Sequence, residues 1–490
     1  MSNISRREFI VLTGMTVGTF PWQQVLAKRL GITVNDVHSQ LNPTIVQSIS
    51  TARTEADVLQ TIRATKHSRS SLSICGARHA AGGQQFLSDG VLLDMSEMNK
   101  VIRFDQDAGL ITVQSGIHWD EMQKSLDASQ STSSVAWGIN QKQTGLNTLT
   151  IGGTVGANAH GQGLSLKPFV GDIESFRIIN SDGQKLRCSR QENPELFYLV
   201  IGGYGLFGVV TDVTLKLIRR QMVRRSVKQV PVASIGTEFD TSISKGYRYG
   251  HCQINIDSTS PGYLKEGVFC TYEPVDSSTP GGGGSQLTQD GWLDLVILAH
   301  KDKKAAFKNY SNFLLSTDQA VDWADVWQSN FYMPNYHSRM GESAAHSVAA
   351  SEVLSEFYVP VPQLENFLAK AREYFLLHNV DVIFSTVRFI QRDDETFLPW
   401  ARQQYACVIF NFHTIHSVAE INKTMDAYSY LIDRAIDADG SFYLTYQHVA
   451  NKQQLLTCYP QFENFLKLKL KYDPTAVFQS DWYRWHRRMF

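Results

Sequence analysis

The sequence has little cysteine for its length and places it without pattern. Its six Cys, at 75, 188, 252, 270, 407 and 458 of 490 residues, form no C-x-x-C pair, which excludes a disulfide scaffold and a zinc ribbon. It also lacks a charge excess. Lys and Arg number 46 against 47 Asp and Glu, a formal net charge of −1, so nothing electrostatic points to nucleic acid or an anionic membrane as partner. Beyond the first 27 residues no apolar run is long enough to span a bilayer, and there is no internal repeat. What is present is 43% apolar and 19% charged, material for two or three packed units rather than a disordered chain. Nine Trp, 19 Tyr and 26 Phe supply flat surfaces suited to small-molecule pockets. A large enzyme acting on a small molecule is the class these figures leave.

Residues 1–27 read as an address. Ser5-Arg6-Arg7-Glu8-Phe9-Ile10 precedes an uncharged stretch, Val11 to Phe20, about half the length of a membrane anchor. A basic start, a short apolar region and small residues near Ala27 predict an export signal of the twin-arginine type, hence a periplasmic or extracellular protein. That route carries proteins already folded around a cofactor. No integral membrane span is expected in the mature chain.

From Pro43 onward helical and strand patterns alternate. A helix is expected over 54–64 behind a Thr54 cap, and strands over 71–75, 91–94 and 110–113. Three glycine runs punctuate this half: Gly76 to Gln84, Gly152 to Gly163 after Leu149-Thr150-Ile151, and Gly202 to Gly208, with a helix over 193–200 before the last and a strand over 209–215 after it. After about residue 221 longer alternating runs, Cys252 to Ile256 and Val268 to Tyr272, predict an antiparallel sheet with one wet face. Thr279 to Ser285 is a flexible loop by composition. Helices are expected over 302–316 and 362–377, the second with Leu364, Phe367, Leu368, Ala371 and Phe375 on one stripe.

Gly203-x-Gly205-x-x-Gly208 matches the spelling of a dinucleotide fingerprint, but that device needs a strand before it and a helix after it. Here the order is reversed, which sets a nicotinamide-type reading aside. Glycine lets backbone N–H groups approach phosphate oxygens closely, so three runs in one half can line a single long ligand bearing a diphosphate. His79 and His160 each lie inside a run with no metal partner nearby in sequence, and no metal site is expected.

Gly76-x-x-His79-x-x-x-Gly83-Gln84, Thr150-x-Gly152-Gly153 and Gly203-x-Gly205-x-x-Gly208-Val209-Val210-Thr211, in that order, resemble the flavin domain of the vanillyl-alcohol oxidase superfamily. Phe465-x-x-x-Lys469-x-Lys471-Tyr472-Asp473-Pro474 is similar to its closing segment, which packs back on that domain. The resemblance, closest in look to aldonolactone and alditol oxidases, implies an α+β protein: a two-subdomain FAD-binding domain of the p-cresol methylhydroxylase type over 40–221, an antiparallel-sheet substrate or cap domain with covering helices over 222–440, and a returning segment over 441–490. It implies FAD held by Gly76, Ala77, Arg78, His79, Ala80, Gly83 and Gln84 of the first run. Thr150, Gly153, Thr154, Gly156, Asn158, His160 and Gly161 of the second, and Gly208 and Val210 of the third, complete the set. In many members the histidine of the first run is bonded to the flavin 8α-methyl. His79 holds that place, while Ala80 stands where many covalent members have Ser, so tethered and untethered FAD both remain open. Cytokinin dehydrogenases carry an acid where this chain has Gly145, and a mechanism of that kind is set aside.

Ser351-Glu352-x-x-Ser355-Glu356-x-Tyr358-Val359-Pro360 resembles the first cap strand of sugar oxidases. Period 2 over 382–390 puts Phe384, Thr386 and Arg388 on one face. Related oxidases have Glu-x-Arg there; this chain has Thr386-x-Arg388. Arg388, with His413, Tyr446 and His448 from aromatic strands, form the catalytic candidates, and the basic tail Arg484 to Arg488 is expected to be solvated. The resulting expectation is an FAD-dependent oxidoreductase that oxidises a CH–OH group of a polyol, sugar or aldonolactone-like molecule, reoxidised by O2 or a redox carrier. The alternatives are a flavoprotein acting on a C–C or C–N bond, and a flavin-binding electron relay without turnover.

Overall fold

The computed structural model describes residues 31–132, 136–284, 287–328 and 349–490. The expected export signal lies outside them, as does Ser285 of the glycine-rich loop. Thr54 opens the first helix, Glu55–His67, through a capping box: its side chain accepts from Asp57 N–H while the Asp57 carboxylate accepts from Thr54 N–H at 2.8 Å. That helix covers a small parallel sheet in which Ser48–Thr51 and Leu72–Cys75 flank Val91–Asp94. A second, antiparallel sheet of five strands centres on Val209–Lys216, between Ile173–Ile179 and Leu110–Gln114. These are the two subdomains of the first half, and the three glycine runs lie between them.

The second half is built on one eight-stranded antiparallel sheet, starting at Met222–Pro231, whose centre is the ladder Tyr249–Ile254, Val382–Ile390, Tyr405–Ile415 and Ala350–Val359. The period of two divides its faces cleanly. Phe357, Phe410 and Phe412 point to the helices Leu364–His378 and Val418–Asp437, where Phe357 meets Phe367 and Tyr428, and Phe375 meets Phe410 and Phe412. The stripe Leu364, Phe367, Leu368, Ala371 and Phe375 is buried as its spacing requires. The alternate residues Leu354, Glu356, Tyr358, Phe384, Thr386, Arg388, Cys407, Ile409 and Asn411 share the other face, which looks toward the glycine runs. The α+β architecture therefore stands.

Three points of the fold go beyond or against the expectations. The helix expected at 302–316 is the second of a pair: Gln289–Lys301 precedes it, and Asp302 caps Lys303–Ser316 by accepting from Ala305 N–H. Asp294 is the one polar residue from Trp292 to Ala299, so the run shows no clear helical period. The long helix Val418–Asp437 also escaped the sequence reading. Third, the basic tail is not simply solvated: Asp481–Arg487 is a helix whose His486 is buried against Trp482 and Phe462.

The chain's end docks as the resemblance implies. Leu72 N–H donates to Val477 O at 2.7 Å and Gln479 N–H to Leu72 O at 2.9 Å, extending the parallel sheet. Lys469 and Asp473 form a fully buried ion pair at 2.5 Å, and the Asp473 carboxylate also accepts from the N–H groups of Val477 and Phe478. All six cysteines are buried thiols. No helix among the described residues is long and apolar enough to cross a membrane.

Candidate active site

A cleft with about 1340 Å³ of unfilled space, mouth included, runs between the two subdomains and is lined by all three glycine runs. Gly76, Ala77, Arg78, His79, Ala80 and Gln84 face it from the first; Thr150, Gly153, Thr154 and Gly156 from the second; Gly208 and Val210 from the third. The glycines are required sterically. A Cβ at Gly76 would lie 2.2 Å from Thr150 Oγ1, and one at Gly82 would lie 2.1 Å from Tyr446 O. Thr150 caps the short helix Ile151–Ala157 by accepting from Gly153 N–H at 3.1 Å.

The cleft presents donors that the protein does not use. The N–H groups of Ala77, Arg78 and Ala80 have no protein acceptor among the described residues, and Arg78 is held at φ 60°, which turns this backbone outward. Ser115 Oγ and Gln143 Oε1, both on the cleft wall, are buried without a hydrogen-bond partner. A long ligand with phosphate oxygens and ring nitrogens satisfies such a wall, so the residues present fit FAD.

Four residues expected at the cofactor do not line the cleft. Asn158 closes its helix at φ 49°, ψ 56° and turns the chain inward. Its side chain is spent on Asp393 and on Val170 N–H. His160 and Gly161 follow it into the interior, where a Cβ on Gly161 would sit 2.7 Å from Lys142 O. Gly83 turns at φ 72° against Asn42.

His79 is on the cleft wall, with Nε2 3.0 Å from Thr148 Oγ1. Burial, with smaller contributions from His38 and His118, pushes its pKa down to about 3, so the ring is neutral.

The cleft opens into a second chamber with about 1550 Å³ of unfilled space, again with its mouth included, and His38, Gln143, Leu146, Leu354 and Tyr446 line both. The helix missed in the sequence supplies one wall through Trp292, Leu295, Val296 and Ala299, and Gly145 (φ 90°) supplies another with no side chain. Arg388, Phe384, Asn411 and Glu356 come from the cap sheet. Of the four catalytic candidates, Tyr446 is at this junction and Arg388 lines the second chamber. His413 and His448 are at neither. His413 sits on the same sheet face one residue pair further along, beside Glu352 (3.5 Å) and His300. His448 meets His486 edge to face in the C-terminal segment. Flanking aromatics made both look like strand residues facing a site: His413 is on the strand Tyr405–Ile415 but beyond the chamber, whereas the strand expected over 442–448 ends at Phe442 and leaves Tyr446 and His448 on irregular chain.

The residue sequence reasoning missed is Glu356. It is 1% exposed. Tyr446 donates to its Oε1 at 2.7 Å, Tyr358 to its Oε2 at 2.8 Å, and His160 Nε2 lies 2.9 Å from Oε2. His160 Nδ1 faces Gly161 O at 3.0 Å, so both ring nitrogens face acceptors. Burial alone would raise the Glu356 pKa, but His160, the Tyr446 hydrogen bond and Arg388 outweigh it and hold it below the ordinary carboxylate value. Burial and Glu356 together raise the Tyr446 phenol far above its usual range. Glu356 was legible only as a strand residue. Pairing sets it beside Ile409, and Ile409 beside Thr386, so a carboxylate reaches the Arg388 face from the next strand but one. Lys142 is also buried nearby; burial, then Arg388, pushes its pKa down to about 7.

Comparison with known proteins gives two family matches. Residues 46–189 match the FAD binding domain family, and residues 321–488 match the D-arabinono-1,4-lactone oxidase family. An uncharacterized oxidoreductase of the fasciation locus of Rhodococcoides fascians is 33% identical over 214 residues, 44% of this chain and 47% of that protein. Cytokinin dehydrogenase 2 of Arabidopsis thaliana is 31% identical over 33% of this chain and 31% of its own length. A putative D-arabinono-1,4-lactone oxidase of Neurospora crassa is 26% identical over 33% of this chain and 28% of its own length. The chain thus spans less than half the length of these curated relatives. A cleft built from three glycine runs, an eight-stranded cap sheet behind it and these two matches lead to one assignment: the chain carries an FAD binding domain and a D-arabinono-1,4-lactone oxidase region, a combination consistent with the vanillyl-alcohol oxidase superfamily.

Proposed function

We propose that the protein is an FAD-dependent oxidoreductase that oxidises a CH–OH carbon of a sugar-derived or lactone-like donor. The observation that carries this is the place of Tyr446, whose hydroxyl stands where the flavin cleft meets the second chamber and donates to buried, ionised Glu356. FAD, when bound, supplies the two-electron acceptor that takes hydride at N5. Tyr446 stays protonated and keeps oxygen lone pairs toward the chamber. A donor hydroxyl can pass its proton to the Tyr446 oxygen as the phenolic proton moves to Glu356 Oε1, a relay that leaves no net charge on tyrosine. His160 and Tyr358 hold the other carboxylate oxygen and fix its direction. Arg388, on the same face, orients the donor and opposes negative charge developing as the proton leaves. Gly145 provides no acid, which favours this relay over a base at the position used in cytokinin dehydrogenases.

Further parts of the reading are a covalent link from His79 to FAD, reoxidation by O2 or a redox carrier, and export through residues 1–27. The test is anaerobic titration of the FAD-loaded protein with a panel of sugars, polyols, lactones and amines, followed by admission of air. Bleaching by hydroxyl donors, with recovery in air or with a carrier dye, is expected. Bleaching by amines alone, or by no donor, overturns the reading.

A further inference from the structure

A third cavity adjoins the donor chamber on the side away from Tyr446 and shares Thr144, Gln253, Trp292, Tyr310, Phe384 and Arg388 with it. Its polar lining includes two guanidinium groups, Arg225 and Arg388, which are 5% and 7% exposed. Neither forms an ion pair among the described residues. Arg225 lies over the rings of Trp327 (4.9 Å) and Tyr272 (5.7 Å) and reaches Cys270 Sγ at 3.6 Å. Among the described residues its Nε–H has no acceptor, and neither do Nε and Nη1 of Arg388. Ring faces temper one charge but accept no hydrogen bond in the plane of the fork.

No carboxylate among the described residues lines this cavity. Glu356, in the adjoining chamber, already accepts from Tyr446 and Tyr358 and pairs with His160. His251, on the wall between the two arginines, has its pKa pushed down to about 3 by burial, then by Arg225 and Arg388. Both positive charges are therefore felt at one point, and the imidazole adds no third. Buried charges in proteins are otherwise paired, and a planar fork matches the two oxygens of a carboxylate or phosphate.

Resting on the proposed oxidation of a CH–OH donor, we infer that this cavity binds an oxyanion carried by the donor itself. The donor is then a sugar-derived acid or phosphate, with its anionic end between Arg225 and Arg388 and its reacting hydroxyl at Tyr446.

Calorimetry on the unmodified FAD-loaded protein with gluconate, glucose 6-phosphate and sorbitol tests this without turnover. One or both anions should bind about 10²-fold more tightly than sorbitol, with affinity falling as NaCl is raised. Gluconate alone identifies a carboxylate end, and glucose 6-phosphate alone a phosphate. Arg225→Gln should weaken the anion about 10²-fold and leave sorbitol unchanged, with Arg225→Lys in between. Should Arg225→Gln fail to fold, thermal melting of the unmodified protein decides: the anion should raise Tm and sorbitol should not. Sorbitol binding as tightly as both anions, or an anion affinity indifferent to Arg225, overturns the inference even where CH–OH donors bleach the flavin. Anion binding that depends on Arg225, with no donor reducing the flavin, overturns the oxidation instead.

Discussion

Tyr446 donates its phenolic hydrogen to Glu356 Oε1 at 2.7 Å, joining the returning C-terminal segment to the first long strand of the cap sheet. The link is anchored at both ends. Gln84 of the first glycine run donates to Leu444 O and Tyr446 O, and Tyr358 beside Glu356 stacks on Trp400 at 4.5 Å. The flavin cleft, the Tyr446–Glu356 pair and the second chamber are therefore held by one set of contacts.

Removing the phenolic oxygen should stop proton transfer without disturbing the cofactor. Tyr446→Phe is expected to keep its FAD content and to lose about 10²–10⁴-fold in the anaerobic rate of flavin reduction, the range for losing a positioned acid–base group. Glu356→Gln should lose a similar factor. Stopped-flow reduction measures both, and an unchanged rate in Tyr446→Phe assigns the proton to another group.

Arg388→Ala should likewise fold and bind FAD. Its flavin reduction is expected to be about 10²–10³-fold slower, as for losing one preorganised electrostatic group, with Arg388→Lys recovering part. Reduction at the unmodified rate in Arg388→Ala makes this arginine a structural residue.

If His79 tethers the cofactor, protein precipitated in acid keeps its flavin fluorescence and His79→Ala releases it. The neutral ring on the cleft wall is the form that can bond carbon. Release of all flavin from the unmodified protein would show that His79 only lines the cleft.

The Lys469–Asp473 pair seals the junction between the C-terminal segment and the parallel sheet. Asp473→Ala strands a buried ammonium and frees two backbone N–H groups. A loss of about 3–5 kcal/mol, the usual effect of breaking a buried pair, is expected in urea unfolding. A loss under about 1 kcal/mol would mean water reaches Lys469.

Buried neutral histidines set an acid limit on stability. His486 has its pKa pushed down to about 4, chiefly by burial, from the usual 6.5. Between these values the unfolded chain binds a proton that the folded chain refuses, so stability falls as pH drops from about 6.5 toward 4. At pH 5 this amounts to about 2 kcal/mol for this residue. Asp172, raised to about 6 by burial, acts in the opposite direction and offsets part of the slope. His486→Gln should shrink the stability difference between pH 7 and pH 5 by about 2 kcal/mol. An unchanged difference contradicts a neutral His486.

Much of this was legible in the sequence because local chemistry fixes it. The Thr54 cap, the stripe on Leu364–His378 and the shared face of Phe384, Thr386 and Arg388 follow from spacing alone. Glycine content located the cleft, since close packing at Gly76 and Gly82 admits no side chain. What failed was information carried by pairing between distant strands. Glu356 reaches the Arg388 face only through the register with Ile409 and Thr386, and no local pattern records a register. Asn158 and His160 sit in a glycine run yet turn away from it, because one left-handed residue redirects the chain.

The most direct test is a single anaerobic turnover with a hydroxyl donor from the panel, present in limiting amount. Flavin absorbance and the oxidised carbon of the product are measured together. One equivalent of flavin reduced for each CH–OH converted to C=O is the predicted result, with the yield per unit time falling sharply in Tyr446→Phe. Flavin that stays oxidised with every hydroxyl donor, or reduced flavin without a newly oxidised carbon, would contradict it.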